Sequence, residues 1–170
     1  MVPRPQADEF AAYYSGYINR VPEGDILVTL EKQLEPTLQT LRSISEEKSL
    51  HRYAPGKWSI REMFSHVNDT ERVFAGRALW FARGFEAPLP GFDQEICAAA
   101  AHADQRSWAG HLDEFATIRQ ATLSFFRNLP AEAWTKRGIA SGNPFTVNAL
   151  AYIIAGHVNH HLAILKEKYL

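Results

Sequence analysis

The chain has 170 residues, 46% of them hydrophobic and 22% charged, which excludes disorder as its main theme and fits one globular domain. Lys plus Arg is 18 and Asp plus Glu is 19, for a formal net charge of −1. That balance offers no broad basic field for a phosphate backbone and argues against nucleic acid as the main partner. Cys97 is the single cysteine, so no intrachain disulfide and no Cys-x-x-Cys metal site can form, while seven histidines stand against it.

The chain opens with Pro3, Arg4, Pro5, Asp8 and Glu9 and no apolar core, so its start does not read as a signal peptide. A helical arm is expected around residues 7–18, ended by Pro22 and Gly24. This divides the chain into an N-terminal arm, 1–24, and a main domain, 25–170. A first long helix is expected over 25–43, where Leu27, Leu30, Leu34, Leu38 and Leu41 form one stripe. Pro36 should kink it.

The second long helix carries clear start signals. Ser59 is followed three residues later by Glu62, a capping box, and Trp58 and Met63 flank it as a hydrophobic staple. The helix should run to about Phe81 with Phe64, Val67, Phe74, Ala78 and Phe81 inward. Gly84 and the Pro88-Leu89-Pro90-Gly91 stretch make a loop, and a short helix follows around 94–102. A third long helix is expected over 107–128, with Leu112, Phe115, Ile118, Thr122 and Phe126 inward and Pro130 as its stop. Gly138, Gly142, Asn143 and Pro144 make another loop. The fourth helix starts near Thr146 and runs to about Tyr169. Lys166 and Lys168 lie in its last turn, where cations suit the helix dipole. No pair of alternating strands stands out. The fold expected is all-α: a four-helix bundle with short accessory helices.

No Asp, Glu, Lys or Arg occurs from Gly138 to Leu165, but the apolar run within it, 149–155, is far below the ~20 residues a membrane span needs. Without an export signal or disulfides the expected compartment is the cytoplasm, and the sequon Asn68-Asp69-Thr70 then has no glycosylation meaning.

Three histidines, His157, His160 and His161, fall in the middle of the fourth helix. His157 and His161 are about 40° apart on one face with Cβ atoms roughly 5–6 Å apart, the spacing by which one helix offers two imidazoles to one ion. The inward stripe reads Leu150, Ile154, His157, His161 and then Ile164 or Leu165, so the pair occupies core positions. By spacing alone, His160 could replace His161 as the partner of His157. His66, on the edge of the second helix's apolar stripe, is the candidate third ligand. Three imidazoles from two helices leave coordination positions open, the mark of a catalytic rather than a structural site. The plain alternative is a set of hydrogen-bonded core histidines.

His51 is expected to be exposed, His102 and His111 to be solvated or capping, and Cys97 to be a buried inert thiol. No Glu-x-x-His, His-Glu-x-x-His or glycine-rich phosphate loop occurs, which excludes the di-iron bundle, the common zinc protease helix and the usual nucleotide-binding motifs.

The stretch from Gly56 through Trp58, Ser59, Arg61 and Glu62 to His66, with Asp69 and Glu71 beyond it, resembles the second helix of DinB-like (YfiT-like) metal-dependent proteins. The loop Pro88 to Asp93, and the segment Ala151 to His157 continuing through His160, His161 and Leu165, are similar to the same family. The likeness runs from about Asp25 to the end of the chain. It implies up-down-down-up connectivity and one divalent ion, zinc, nickel or iron, on His66, His157 and His161. His160 then takes a non-ligand place. Characterised relatives include transferases and isomerases that use a low-molecular-weight thiol, so the resemblance implies a metal-dependent transferase or hydrolase with a small-molecule substrate and a thiol cosubstrate. Asn68, Asp69, Glu71, Asn159 and His160 are candidates to orient the imidazoles or move protons. Trp58, Ser59 and Glu62 are assigned to helix-start chemistry alone. Two rival readings share the sequence: a metal- or small-ligand-binding protein without turnover, and a metal-free helical interaction protein. A homodimer through bundle faces is compatible with all three.

Overall fold

The computed structural model describes residues 2–170. Its long helices are α2 (Ile26–Arg42), α3 (Ile60–Ala82), α5 (Trp108–Arg127) and α6 (Val147–Ile164), with short helices α1 (Ser15–Ile18) and α4 (Gln94–Ala100). Each long helix begins where its sequence supplies an acceptor for orphan backbone N–H groups. Asp25, Ser107 and Thr146 accept from the first turns of α2, α5 and α6. At α3 the capping box closes in both directions: Glu62 N–H donates to Ser59 Oγ at 3.0 Å, and Ser59 N–H donates to Glu62 Oε2 at 2.8 Å. The α2 helix continues through Pro36.

Contacts fix the connectivity. Helix α3 packs on α5 and α6, and α2 packs on the same two. Phe64 meets Trp108 and Phe115, while further along Glu71 meets Arg119, so α3 and α5 run parallel. Arg119 reaches Leu30 while Trp108 reaches Leu41, so α2 and α5 run antiparallel. His66 meets His157 while Trp58 meets Tyr169, so α3 and α6 are antiparallel too. The order is up-down-down-up, with helices that follow one another in sequence lying diagonal at α2–α3 and at α5–α6. Those diagonal crossings are the reason for the long connections at 43–59 and 128–146.

The second crossing holds the main departure from an all-helical reading. Arg137–Ala140 (β1) and Asn143–Thr146 (β2) form an antiparallel hairpin where the sequence suggests a loop. Ser141 and Gly142 both have positive φ, 53° and 73°, the type I′ geometry that matches strand twist in a two-residue turn. Strands of four residues are too short to show alternation, and Pro144 reads as a strand breaker. In a two-stranded ribbon it sits on an edge, where no N–H is needed.

Helix α6 is buried all round from Val147 to Val158, which accounts for its lack of charges. Three bundle neighbours cannot enclose it; the N-terminal arm does the rest. Ile18 and Val21 join the core cluster around Leu150 and Ile154. A Cβ at Gly156 would stand 2.0 Å from the Tyr17 carbonyl oxygen, so glycine permits the backbone of α1 to lie directly on α6. Arg4 clamps the arm by donating to the carbonyls of Ile18 and Val21 at 2.8 and 2.7 Å. Among the described residues, no helix is long and apolar enough to cross a membrane.

Candidate metal centre

The antiparallel packing of α3 on α6 brings His66, His157 and His161 together, all three buried at 6%, 4% and 8% exposure. His157 Nε2 lies 3.1 Å from His66 Nε2 and 3.0 Å from His161 Nε2. One ligand nitrogen of each ring falls within 4.8 Å of the other two, and this is the histidine cluster able to hold an ion among the described residues. His160, one position away on α6, faces Tyr17, with ring centroids 5.2 Å apart, and forms no hydrogen bond to the three.

The rings are held in place by aromatic packing more than by hydrogen bonds. Trp58 packs against His66 at 5.0 Å between centroids, and Phe92 lies parallel to it at 6.4 Å. Tyr17 meets His157 edge-on at 5.4 Å. Thr70 Oγ1 is 3.4 Å from His66 Nδ1, a long contact one turn along α3. Trp58 therefore does more than start a helix. Phe92 is placed by its loop, where Leu89 N–H donates to Ile139 O and Ser141 N–H to Leu89 O, tying the loop to the hairpin.

Burial keeps all three imidazoles neutral. Desolvation lowers His66 to about 4 and His161 to about 3, with the positive charge of neighbouring imidazoles opposing protonation further. It drives His157, the most enclosed, well below the usual histidine value. A neutral imidazole offers one N–H and one lone pair. His157 Nε2 carries one or the other and so cannot complete proper bonds to both neighbours. His161 Nδ1 is buried with no partner. Converging unprotonated nitrogens without donors are unfavourable among themselves and favourable around a cation. Nitrogens sharing one ion at roughly 2.0–2.1 Å stand roughly 3.0–3.4 Å apart, which the two observed separations fit.

Four of the five polar residues suggested as orienting groups serve other partners, and the fifth, His160, packs on Tyr17. Asn68 donates to His111 O and Glu114, Asp69 pairs with Arg72, Glu71 pairs with Arg119, and Asn159 bonds to Gln33 and Arg20 O. None of these bonds reaches a ring nitrogen of the cluster: Asn68 and Glu71 turn to α5, Asp69 to its own helix and Asn159 to Gln33 and Arg20. His51 and His102 are exposed, as expected. His111 is not solvated: it is fully buried, its Nε2 3.0 Å from Ala103 O. Its place on the inner face of α5 leaves it no route to water. Cys97 is half-buried rather than buried, since α4 lies on the rim.

Two clefts flank the cluster. A cavity of about 210 Å³ is lined by His66 and His157 with Tyr14, Tyr17, Arg77 and Phe92. A cleft of about 330 Å³ on the other side is lined by His161 with Trp58, Met63 and Tyr169. Gln94, at the start of α4, borders both. A larger groove of about 450 Å³ between the start of α2 and the end of α6 touches none of the three histidines. Tyr14, Tyr17, Arg77 and Gln94 had no sequence signal, because they come from three separate segments that meet only in the fold.

Comparison with known proteins follows the same lines. The DinB superfamily model matches residues 29–165. The structure is similar to that of YfiT from Bacillus subtilis, described as a probable metal-dependent hydrolase with an unusual four-helix bundle topology. The two share 14% identity with a TM-score of 0.72, over 97% of this chain and 90% of that one, a likeness of fold. No curated protein matches the sequence.

Proposed function

The chain belongs to the DinB superfamily, and from that premise we propose that it is a metal-dependent enzyme acting on a small molecule, with His66, His157 and His161 as the ligands of one divalent ion, zinc, nickel or iron. The observation that carries this reading is the convergence of three neutral imidazole nitrogens that have no adequate hydrogen-bond scheme among themselves. A cation held by three imidazoles supplies Lewis acidity and lowers the proton affinity of a coordinated nucleophile.

The remaining work falls to the chain's own groups. Burial leaves the imidazole lone pairs free at neutral pH, so ligation needs no proton release. Trp58 and Phe92 pack against His66, each at the wall of one of the two clefts. The Tyr17 hydroxyl, raised above the usual phenol value mainly by burial, stays protonated at the cavity wall, 3.4 Å from the Tyr13 hydroxyl. Cys97 lines neither cleft, so thiol chemistry here would draw its sulfur from a low-molecular-weight cosubstrate. Hydrolysis and thiol transfer are the two reactions this arrangement supports.

Elemental analysis of protein purified without a nickel column tests the site. About one divalent ion per chain is expected in the wild type and none in His66→Ala or His157→Ala. Full retention in both variants refutes the assignment. A screen of ester, amide and electrophilic substrates, with and without added thiol and metal, then separates hydrolase from transferase. Metal retention with no turnover in that screen marks the protein as a binding module.

A further inference from the structure

We propose that Arg77 is the recognition residue for an oxyanion carried by the substrate, a carboxylate or a phosphate, bound in the cavity that His66 and His157 also line. The inference rests on the reading of the histidine centre for its meaning as a substrate subsite, although anion binding itself requires no metal.

Arg77 is 5% exposed. Among the described residues, no carboxylate lies within ion-pair distance of it. The other two deeply buried arginines differ. Arg119 is matched by both oxygens of Glu71, and Arg61 by Glu46. Burying a cation without a counter-charge is costly, and a protein that retains one at a cavity wall leaves that cost to be offset by a ligand.

Nη2 of Arg77 donates to Pro90 O and to Ser141 Oγ, both at 3.0 Å, and the guanidinium also lies within hydrogen-bonding reach of the Tyr14 hydroxyl. Nε and Nη1 carry three N–H groups between them, more than the single Tyr14 hydroxyl can take up, so donors are left over for a ligand. The guanidinium packs over Phe74 at 5.4 Å, which holds its plane against the helix. Tyr14 stands beside it at the same wall and adds a hydroxyl. A latch between the 84–93 loop and the hairpin would account for the two bonds of Nη2. Both acceptors are neutral, however, and neither requires a charge.

Position along α3 defines the substrate class. His66, Thr70 and Arg77 fall on one helix face, because 11 residues advance the helix by close to three full turns and about 16 Å. Side chains on a helix tilt toward its N-terminus, so the guanidinium leans back toward the histidines. The cavity thus reads a short, extended molecule whose anionic group is held at Arg77 while a bond several atoms away lies at the histidines.

The test uses metal-free protein, prepared with a chelator and carrying ¹⁵N-labelled arginine, titrated with acetate, with inorganic phosphate and, as control, with chloride at matched ionic strength. The Arg77 Nε–H resonance, assigned by its loss in Arg77→Lys, is expected to move saturably with at least one oxyanion and not with chloride. Calorimetry should show binding weakened by roughly tenfold or more in Arg77→Gln and only partly in Arg77→Lys. Acetate acting alone assigns carboxylate substrates; phosphate acting alone assigns phosphate esters. No saturable movement with either oxyanion, or equal affinity in a folded Arg77→Gln, overturns the proposal. Zinc content of reloaded wild type and Arg77→Gln is measured separately. Equal loading supports a role outside the metal site, and absent loading in both refutes the histidine reading while leaving the anion result standing.

Discussion

Two buried polar centres sit on adjacent turns of α3 and are built on opposite terms. On the face toward α5, Arg119 donates from Nε and Nη2 to the two oxygens of Glu71, each at 2.8 Å. Its Nη1 donates to Leu30 O and Gln33 Oε1 at 3.0 and 2.8 Å. Every charge there has a counterpart and the centre is closed. On the face toward α6, three neutral histidines converge with one long side-chain contact and an orphaned nitrogen. That centre is open in valence. A polar cluster that satisfies itself holds helices together, whereas one that does not is arranged for something else. Arg77 extends the contrast as a third buried site that keeps donors in reserve.

The sharpest way to break this comparison is to remove one partner of the closed centre. Glu71→Ala leaves Arg119 buried and unpaired and should cost about 3–5 kcal/mol in urea unfolding, without removing a metal ligand. A cost below that of an ordinary surface change would show the pair to be solvated and the contrast wrong.

Next in size is the effect of metal on the open centre. Zinc at a hundred times its Kd should stabilise the wild type by about 2.7 kcal/mol, read as a rise in Tm, and should leave His157→Ala unchanged. An equal rise in both proteins would place the ion elsewhere.

Gly156→Ala tests the arm that completes the open centre's surroundings. The added Cβ would meet the Tyr17 carbonyl at 2.0 Å, so α1 must lift from α6 at a cost of about 1–3 kcal/mol. Hydrogen exchange should quicken at residues 15–21 with the α3–α5 contacts unaffected. Unchanged exchange there would mean that the arm does not depend on this contact.

The last test is the pH dependence of the metal-free protein, read as a slope per pH unit rather than as one change. The three histidines have folded-state values depressed below the unfolded value near 6.5, so the unfolded chain binds protons first. Their contribution is complete above pH 6.5 and is lost as pH falls toward about 4 for His66 and about 3 for His161. Each imidazole contributes a slope of about 1.4 kcal/mol per pH unit in that window, measurable as a falling denaturation midpoint. A flat profile between pH 6.5 and 4 would mean that the rings are hydrated.

Much of this molecule was legible in its residues. The helix starts at Asp25, Ser59, Ser107 and Thr146 were readable because capping is a local bond between neighbours in the chain. The i, i+4 pair His157 and His161 was readable because one helix turn fixes it. His66 could be named as a partner only through the face it shares with an apolar stripe and through a family resemblance. The hairpin escaped because two four-residue strands give no period. Whether Asn68, Asp69, Glu71 and Asn159 orient the imidazoles or make plain hydrogen bonds was not legible, because proximity in sequence does not say which neighbour a side chain meets. Trp58 was explained by its helix start and turned out also to pack on His66.

What the sequence determined by itself is therefore what depends on near neighbours: three amphipathic helices, an apolar charge-free fourth, the starts of all four, and two imidazoles on one face of the last. What only the tertiary structure decided is which faces meet. The parallel pairing of α3 with α5 and its antiparallel pairing with α6 separate the closed charge pair from the open histidine cluster. The arm over Gly156 and the loop bearing Phe92 enclose that cluster. The cavity leaves Arg77 without an acid. These depend on contacts between residues far apart in the chain, whose choice among many alternatives is made by global packing and by the cost of leaving buried polar groups unmatched.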